Sequence, residues 1–183
     1  MEHLTFQIHC GDRRAFVDLW SAGYSYKAEY KYENNIGRPL TIDSRRELFE
    51  WKNQMAPIAP DKYKGIEKNY PLEFEGDKVQ RYLRVGKQGD GRAIWNIFYL
   101  HCLDPLTWPI YDQHAYRSMK YIKTGKIEEI GTDEGLKYES YLDEYVPLFR
   151  DWVKEVGNND RVVDKAFFQF GRFLKLVNKK RPR

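Results

Sequence analysis

Three glycines within six residues, Gly86, Gly89 and Gly91, interrupt what would otherwise be one helical run over residues 77–103. Glycine takes positive φ at little steric cost, so the chain can reverse sharply here. Two helices joined by a tight turn are therefore expected where one long helix would otherwise form. The apolar spacing on both sides agrees. Val79, Tyr82 and Leu83 share one face after Asp77, a candidate N-cap. Ile94, Ile97, Phe98 and His101 share one face after the turn. Asp104-Pro105 ends the second of these helices.

The same pattern recurs along most of the chain. Ser44 and Glu47 have capping-box spacing, followed by Leu48, Trp51, Lys52 and Met55, with Pro57 and Pro60 as terminators. Asp112 is placed to cap a helix that turns Ala115, Tyr116, Met119 and Ile122 inward and stops near Gly125. A charged linker is expected over roughly 124–135. Leu136, Tyr138, Tyr141, Leu142 and Tyr145 then mark a helix that Pro147 breaks or kinks, and Leu148 to Val156 continue it. Asn158-Asn159-Asp160 forms a turn and cap. Val163, Ala166, Phe167, Phe170, Phe173, Leu174 and Val177 line a final helix. A mostly α domain over 38–178 follows. Residues 1–37 are read as an accessory N-terminal segment. There Leu4, Phe6, Ile8 and Cys10 alternate as in a short strand, and Tyr24, Tyr26, Tyr30 and Tyr32 either alternate or lie on a helix. Residues 179–183 form a basic tail.

Composition narrows the function. With 183 residues, 42% hydrophobic and 16% aromatic, the chain can bury a core and is not of the disordered class. No stretch of about 18 apolar residues occurs, so no membrane span is expected, nor is a secretory signal at Met1-Glu2-His3-Leu4. Cys10 and Cys102 are too few for a disulfide scaffold or a four-thiolate iron–sulfur cluster. His9-Cys10 and His101-Cys102 leave a four-ligand metal site open on spacing. No metal or other cofactor is expected. A net charge of +4, from 31 basic and 27 acidic residues, permits nucleic-acid binding. The tail Lys179-Lys180-Arg181-Pro182-Arg183 is either a solvated terminus or an arm for phosphates.

The turn also has chemistry. It leaves the first N–H groups of the following helix unpaired, and such groups suit a phosphate oxygen, with Lys87 and Arg92 adding charge. Further on, Pro109 disfavours helix at Trp108, so Asp112 sits where a helix must start. An N-cap aspartate is worth roughly 1 kcal/mol to its helix. Apart from any family, a glycine turn and a capping carboxylate need mean nothing more.

Together, Lys87-Gln88-Gly89-Asp90-Gly91-Arg92-Ala93 and Tyr111-Asp112-Gln113-His114-Ala115-Tyr116-Arg117 resemble the core of the helix-hairpin-helix DNA glycosylases. Both glycines and the arginine of the hairpin match, as do Asp, His and Arg of the second motif and the separation between the two. Asp90 departs from the pattern, standing where the family carries an apolar residue. The resemblance is good over 77–123, loose over the helix at 44–55 and the last helix, and has no counterpart in the first 37 residues. It implies that Lys87, Gly89, Gly91 and Arg92 grip a DNA phosphate. It also implies that Asp112 stabilises the cationic sugar of an extruded nucleotide and activates water. His114 and Arg117 contact the DNA backbone or hold Asp112, with a satisfied structural histidine as the equal alternative for His114. The lysine that makes bifunctional members cut the strand is replaced by Ala93, which implies a monofunctional enzyme, with Lys52 and Lys120 as the remaining amines to consider. Trp51, Lys52, Asn53 and Tyr111, with Phe49, Trp20, Tyr24 and Tyr26 nearby, are candidates for the base pocket or for ordinary core. The expectation is a monomer acting on DNA in the cytoplasm, at the nucleoid. The alternative is a catalytically silent helix-hairpin-helix module that binds DNA or a protein partner, in a setting such as phage defence.

Overall fold

Helix α10 (Asp160–Lys179) is the longest element and packs against three others. The computed structural model describes residues 10–54, 57–73, 75–83, 92–157 and 159–179. Among these the fold is helical throughout and holds no strand. Asn159 starts α10, its Oδ1 accepting the N–H of Val162 at 3.1 Å. The apolar stripe read from sequence is buried: Val163, Ala166, Phe167, Phe170 and Leu174.

Three helices lie against that stripe. Helix α1 (Arg13–Ala22) is capped by Asp12, and its Phe16 meets Trp152, Phe167 and Phe170 edge-on at 5.1, 6.4 and 5.0 Å. Trp20 stacks at a tilt on Phe170 and Phe173. The described part of the N-terminal segment is thus part of the main core rather than an accessory to it. Tyr30 and Tyr32 lie on α2 (Glu29–Glu33), not on a strand. The alternating Leu4, Phe6 and Ile8 lie outside the described residues. At the other end α10 runs through Lys179, across the boundary expected at 178, and residues 180–183 are not described.

Helix α3 (Ile42–Lys52) carries a capping box, but one residue set earlier than expected. Thr41 and Ser44 bond reciprocally, because a serine hydroxyl serves at N3 as a longer carboxylate would. Pro60 does not only terminate. It opens α4 (Pro60–Asn69), where its missing N–H costs nothing. Asp77 caps α5 (Lys78–Tyr82) through the N–H of Gln80, and α6 (Ala93–Leu103) is the next described helix. The expected hairpin, with Lys87, Gly89, Asp90 and Gly91, lies in residues 84–91, outside the described residues.

Helix α7 (Gln113–Thr124) begins at Asp112 and ends at Gly125, whose φ of 69° is the left-handed cap that glycine favours. Helices α8 (Glu134–Glu139) and α9 (Val146–Glu155) are joined without a break by a π-helical turn, Ser140–Tyr145. Pro147 has no N–H and its ring would meet the carbonyl of Asp143. Widening the preceding turn lets the helix continue where a break or kink was expected. Helix α7 crosses α10 so closely that a Cβ on Gly171 would overlap the carbonyl of His114. Among the described residues no helix is long and apolar enough to cross a membrane.

Candidate functional site

Asp112 is fixed by its own helix. Its Oδ1 accepts the N–H groups of His114 at 2.8 Å and Ala115 at 3.0 Å. Its Oδ2 faces the Lys52 ammonium at 3.3 Å, and that ammonium also donates to the Tyr111 carbonyl at 3.2 Å. Lys52 reaches it from the last turn of α3, with a side chain only 7% exposed, while 20% of the Asp112 side chain remains open to solvent. Burial pushes the Asp112 carboxyl upward. The Lys52 charge, His114 and the two backbone donors outweigh it and hold the group below the usual carboxylate range.

The pocket beside Asp112 is walled by Tyr24, Tyr26, Trp51 and Phe168, with Ile110, Gln54, Arg161 and Asp164 completing it. Trp51 and Lys52, both candidates for a base pocket on sequence, line it. Gln54 is held at φ 59°, a left-handed conformation that costs a side-chain-bearing residue energy and marks the sharp exit from α3. Its volume is about 40 Å³, enough for two or three waters and too small for a base. A larger cavity of about 410 Å³ adjoins it, sharing Ile110, Arg161 and Asp164 and reaching Tyr32 and His101.

Helix α10 supplies what the sequence reading missed. Arg161, Asp164 and Phe168, three and four residues apart, share one face. Arg161 is bonded to both Asp164 and Glu29, and its guanidinium lies 4.3 Å over the Tyr32 ring. Glu29 also accepts the Tyr24 hydroxyl at 2.7 Å and the Trp51 indole N–H at 3.2 Å, so it orients two aromatic walls. Burial of Asp164 pushes its carboxyl up to about 6 against the pull of Arg161, with Asp112 adding to the rise. The available signal was a pair of charges one turn apart beside an otherwise apolar stripe.

Other expected site residues lie elsewhere. Arg117 is fully buried and donates to Glu129, His114 and the Gly171 carbonyl, which corrects its reading as a backbone contact. His114 is buried against Phe168. Since a guanidinium only donates, its Nδ1 is the acceptor. Both residues brace the crossing of α7 and α10. Tyr111 is also core. Its ring meets Tyr141 and Tyr145, its hydroxyl donates to Ser140 at 3.2 Å, and only its carbonyl touches the site. Asn53 caps α3 and accepts from Lys62 at 3.1 Å, outside the pocket lining. Phe49 is fully buried. Lys120 pairs with Glu144, away from Asp112.

Two further findings bear on ligands. Arg92 precedes α6 without a capping side chain, but the N–H of Ala93 donates to Glu134 at 2.6 Å. That donor is therefore not left open for a phosphate, because α8 brings its own carboxylate to the helix start. His101 spends both ring nitrogens, Nδ1–H on the Trp108 carbonyl at 2.7 Å and Nε2 on the Tyr32 hydroxyl at 2.8 Å. Burial lowers its proton affinity to about 3. Among the described residues no group of three or more potential ligands could hold a metal ion. No protein-family model, curated protein or solved structure matches this chain.

Proposed function

We propose that the protein is a monofunctional DNA glycosylase, hydrolysing the N-glycosidic bond of an extruded damaged or modified base. The observation that carries the reading is Asp112: an ionised carboxylate, rigidly capped, still open to solvent, at a pocket with four aromatic walls. Breaking such a bond develops positive charge on the sugar, and a fixed carboxylate beside it is the group that stabilises that charge and orients water. The aromatic walls offer stacking surface. Lys52, bonded to both Asp112 and the Tyr111 carbonyl, serves to position the carboxylate rather than to attack the sugar. A base reaching Asp112 has to displace a wall side chain, since the pocket is too small for it.

The test is a screen of purified protein against duplex DNA carrying single modified bases. Excision is read as strand scission after hot alkali. Scission without alkali, together with a borohydride-trapped protein–DNA adduct lost in Lys52→Met, would overturn the monofunctional assignment. The second reading, a silent binding module, is favoured by Glu134 on the Ala93 N–H and by the small pocket. DNA binding with no excision from any substrate would establish it.

A further inference from the structure

We propose that Asp164 is the proton donor to the leaving base, acting opposite Asp112; the inference rests on the glycosylase reading. Both carboxyls line the same pocket, Asp112 from the start of α7 and Asp164 from the second turn of α10. Their surroundings differ. Asp112 has a cation of its own and two backbone donors, whereas Asp164 shares Arg161 with Glu29 and is 8% exposed. Asp164 also stands in the wall common to the small pocket and the 410 Å³ cavity, the larger of which is in the size range of ligand sites. The charged groups that act on it are Arg161 on its own helix, Lys52 from α3, Asp112 and Glu29; its charge also bears on the Tyr145 phenol in the π-helical turn. Two carboxyls in one site, one held ionised and one that gives up its proton only near pH 6, divide into base and acid.

The step balances as a hydrolysis. The C1′–N bond breaks with its electron pair going to the base, and the Asp164 carboxyl proton goes to a nitrogen or oxygen of that base. Water oxygen bonds to C1′ and its proton passes to Asp112. The two carboxyls then return to their starting states by exchange with solvent. The chemistry selects a substrate class. Uncharged bases leave poorly without a proton, whereas purines made cationic by alkylation need no donor.

The experiment uses duplexes containing hypoxanthine, 8-oxoguanine or uracil as neutral bases, and 7-methylguanine or 3-methyladenine as cationic ones. Wild type, Asp164→Asn and Asp112→Asn are compared in single turnover, with thermal melting as a check on folding. The expected result is release of at least one neutral base by wild type. Asp164→Asn should lose on the order of 100-fold or more on it, yet stay within about threefold on any cationic base that wild type releases. Wild-type release of the neutral base should fall as pH rises above about 6, and Asp164→Asn should lose that dependence. Release of cationic bases alone, equal slowing of both classes, or a wild-type profile flat through pH 6 overturns the role of Asp164 and leaves that of Asp112 standing. No release from any duplex overturns the glycosylase reading and this inference with it.

Discussion

Helices α7 and α10 meet in two places that are built differently. At their crossing, Gly171 lies under the His114 carbonyl, Ser118 donates to the Phe167 carbonyl at 2.5 Å, and Arg117 donates to the Gly171 carbonyl at 2.8 Å. Polar side chains there are buried and paired with protein groups. At their N-terminal ends, around Asp112, Arg161 and Asp164, charge is also desolvated, but a solvent path and an aromatic-lined pocket remain. The contrast separates scaffold from candidate chemistry. His114 and Arg117 belong to the motif that singles out Asp112, yet they hold the frame, while Asp164 lies outside that motif and shares the pocket.

The largest expected effect breaks the frame. Gly171→Val places side-chain atoms in the His114 backbone, and the helices must separate; soluble, cooperatively melting protein is not expected from this variant. Native-like melting would show that the crossing tolerates spreading. Next, Arg117→Met leaves the Gly171 carbonyl without its donor and Glu129 without its cation. A loss of about 3 kcal/mol is expected in urea unfolding, with little change in DNA binding beyond the lost stability. Weaker DNA binding at unchanged stability would instead return Arg117 to the interface.

A smaller effect sharpens the pocket side. Burial lowers the His101 imidazole from its ordinary 6.5 to about 3, so the stability it contributes is lost as pH falls from 6.5 toward 3. Asp164 is raised from 3.8 to about 6, so its contribution is full below 3.8 and is lost as pH rises through 6. Between pH 4 and 6 the two slopes oppose each other. Asp164→Asn removes one of them, and its melting temperature should fall more steeply than that of wild type on acidification, by a few degrees for roughly 1 kcal/mol. Parallel curves would mean that Asp164 is not protonated in the folded protein.

Legibility in the sequence followed locality. Asp112, Gly125, Asp77 and Asn159 were readable because a cap is decided by residues within one turn. Pro60 was misread because proline stops one helix and starts another by the same missing N–H, and only neighbouring structure decides which. Tyr24, Tyr26, Tyr30 and Tyr32 gave no usable period because three of them face Trp51 or Arg161, distant in sequence, while Tyr30 is exposed. Arg161 and Asp164 were overlooked for the same reason. Their partners Glu29, Lys52 and Asp112 lie between about 50 and 135 positions away, and only packing of α2, α3 and α7 around the start of α10 brings them together.

The account depends most on negative charge at residue 112. Asparagine there keeps an oxygen to accept the His114 and Ala115 N–H groups but loses the charge beside Lys52, so Asp112→Asn should still fold, melting a few degrees below wild type. Its single-turnover base release, from whichever duplex wild type cuts, should fall on the order of 1000-fold at pH 7. Wild-type rates from a folded Asp112→Asn protein would contradict the account directly.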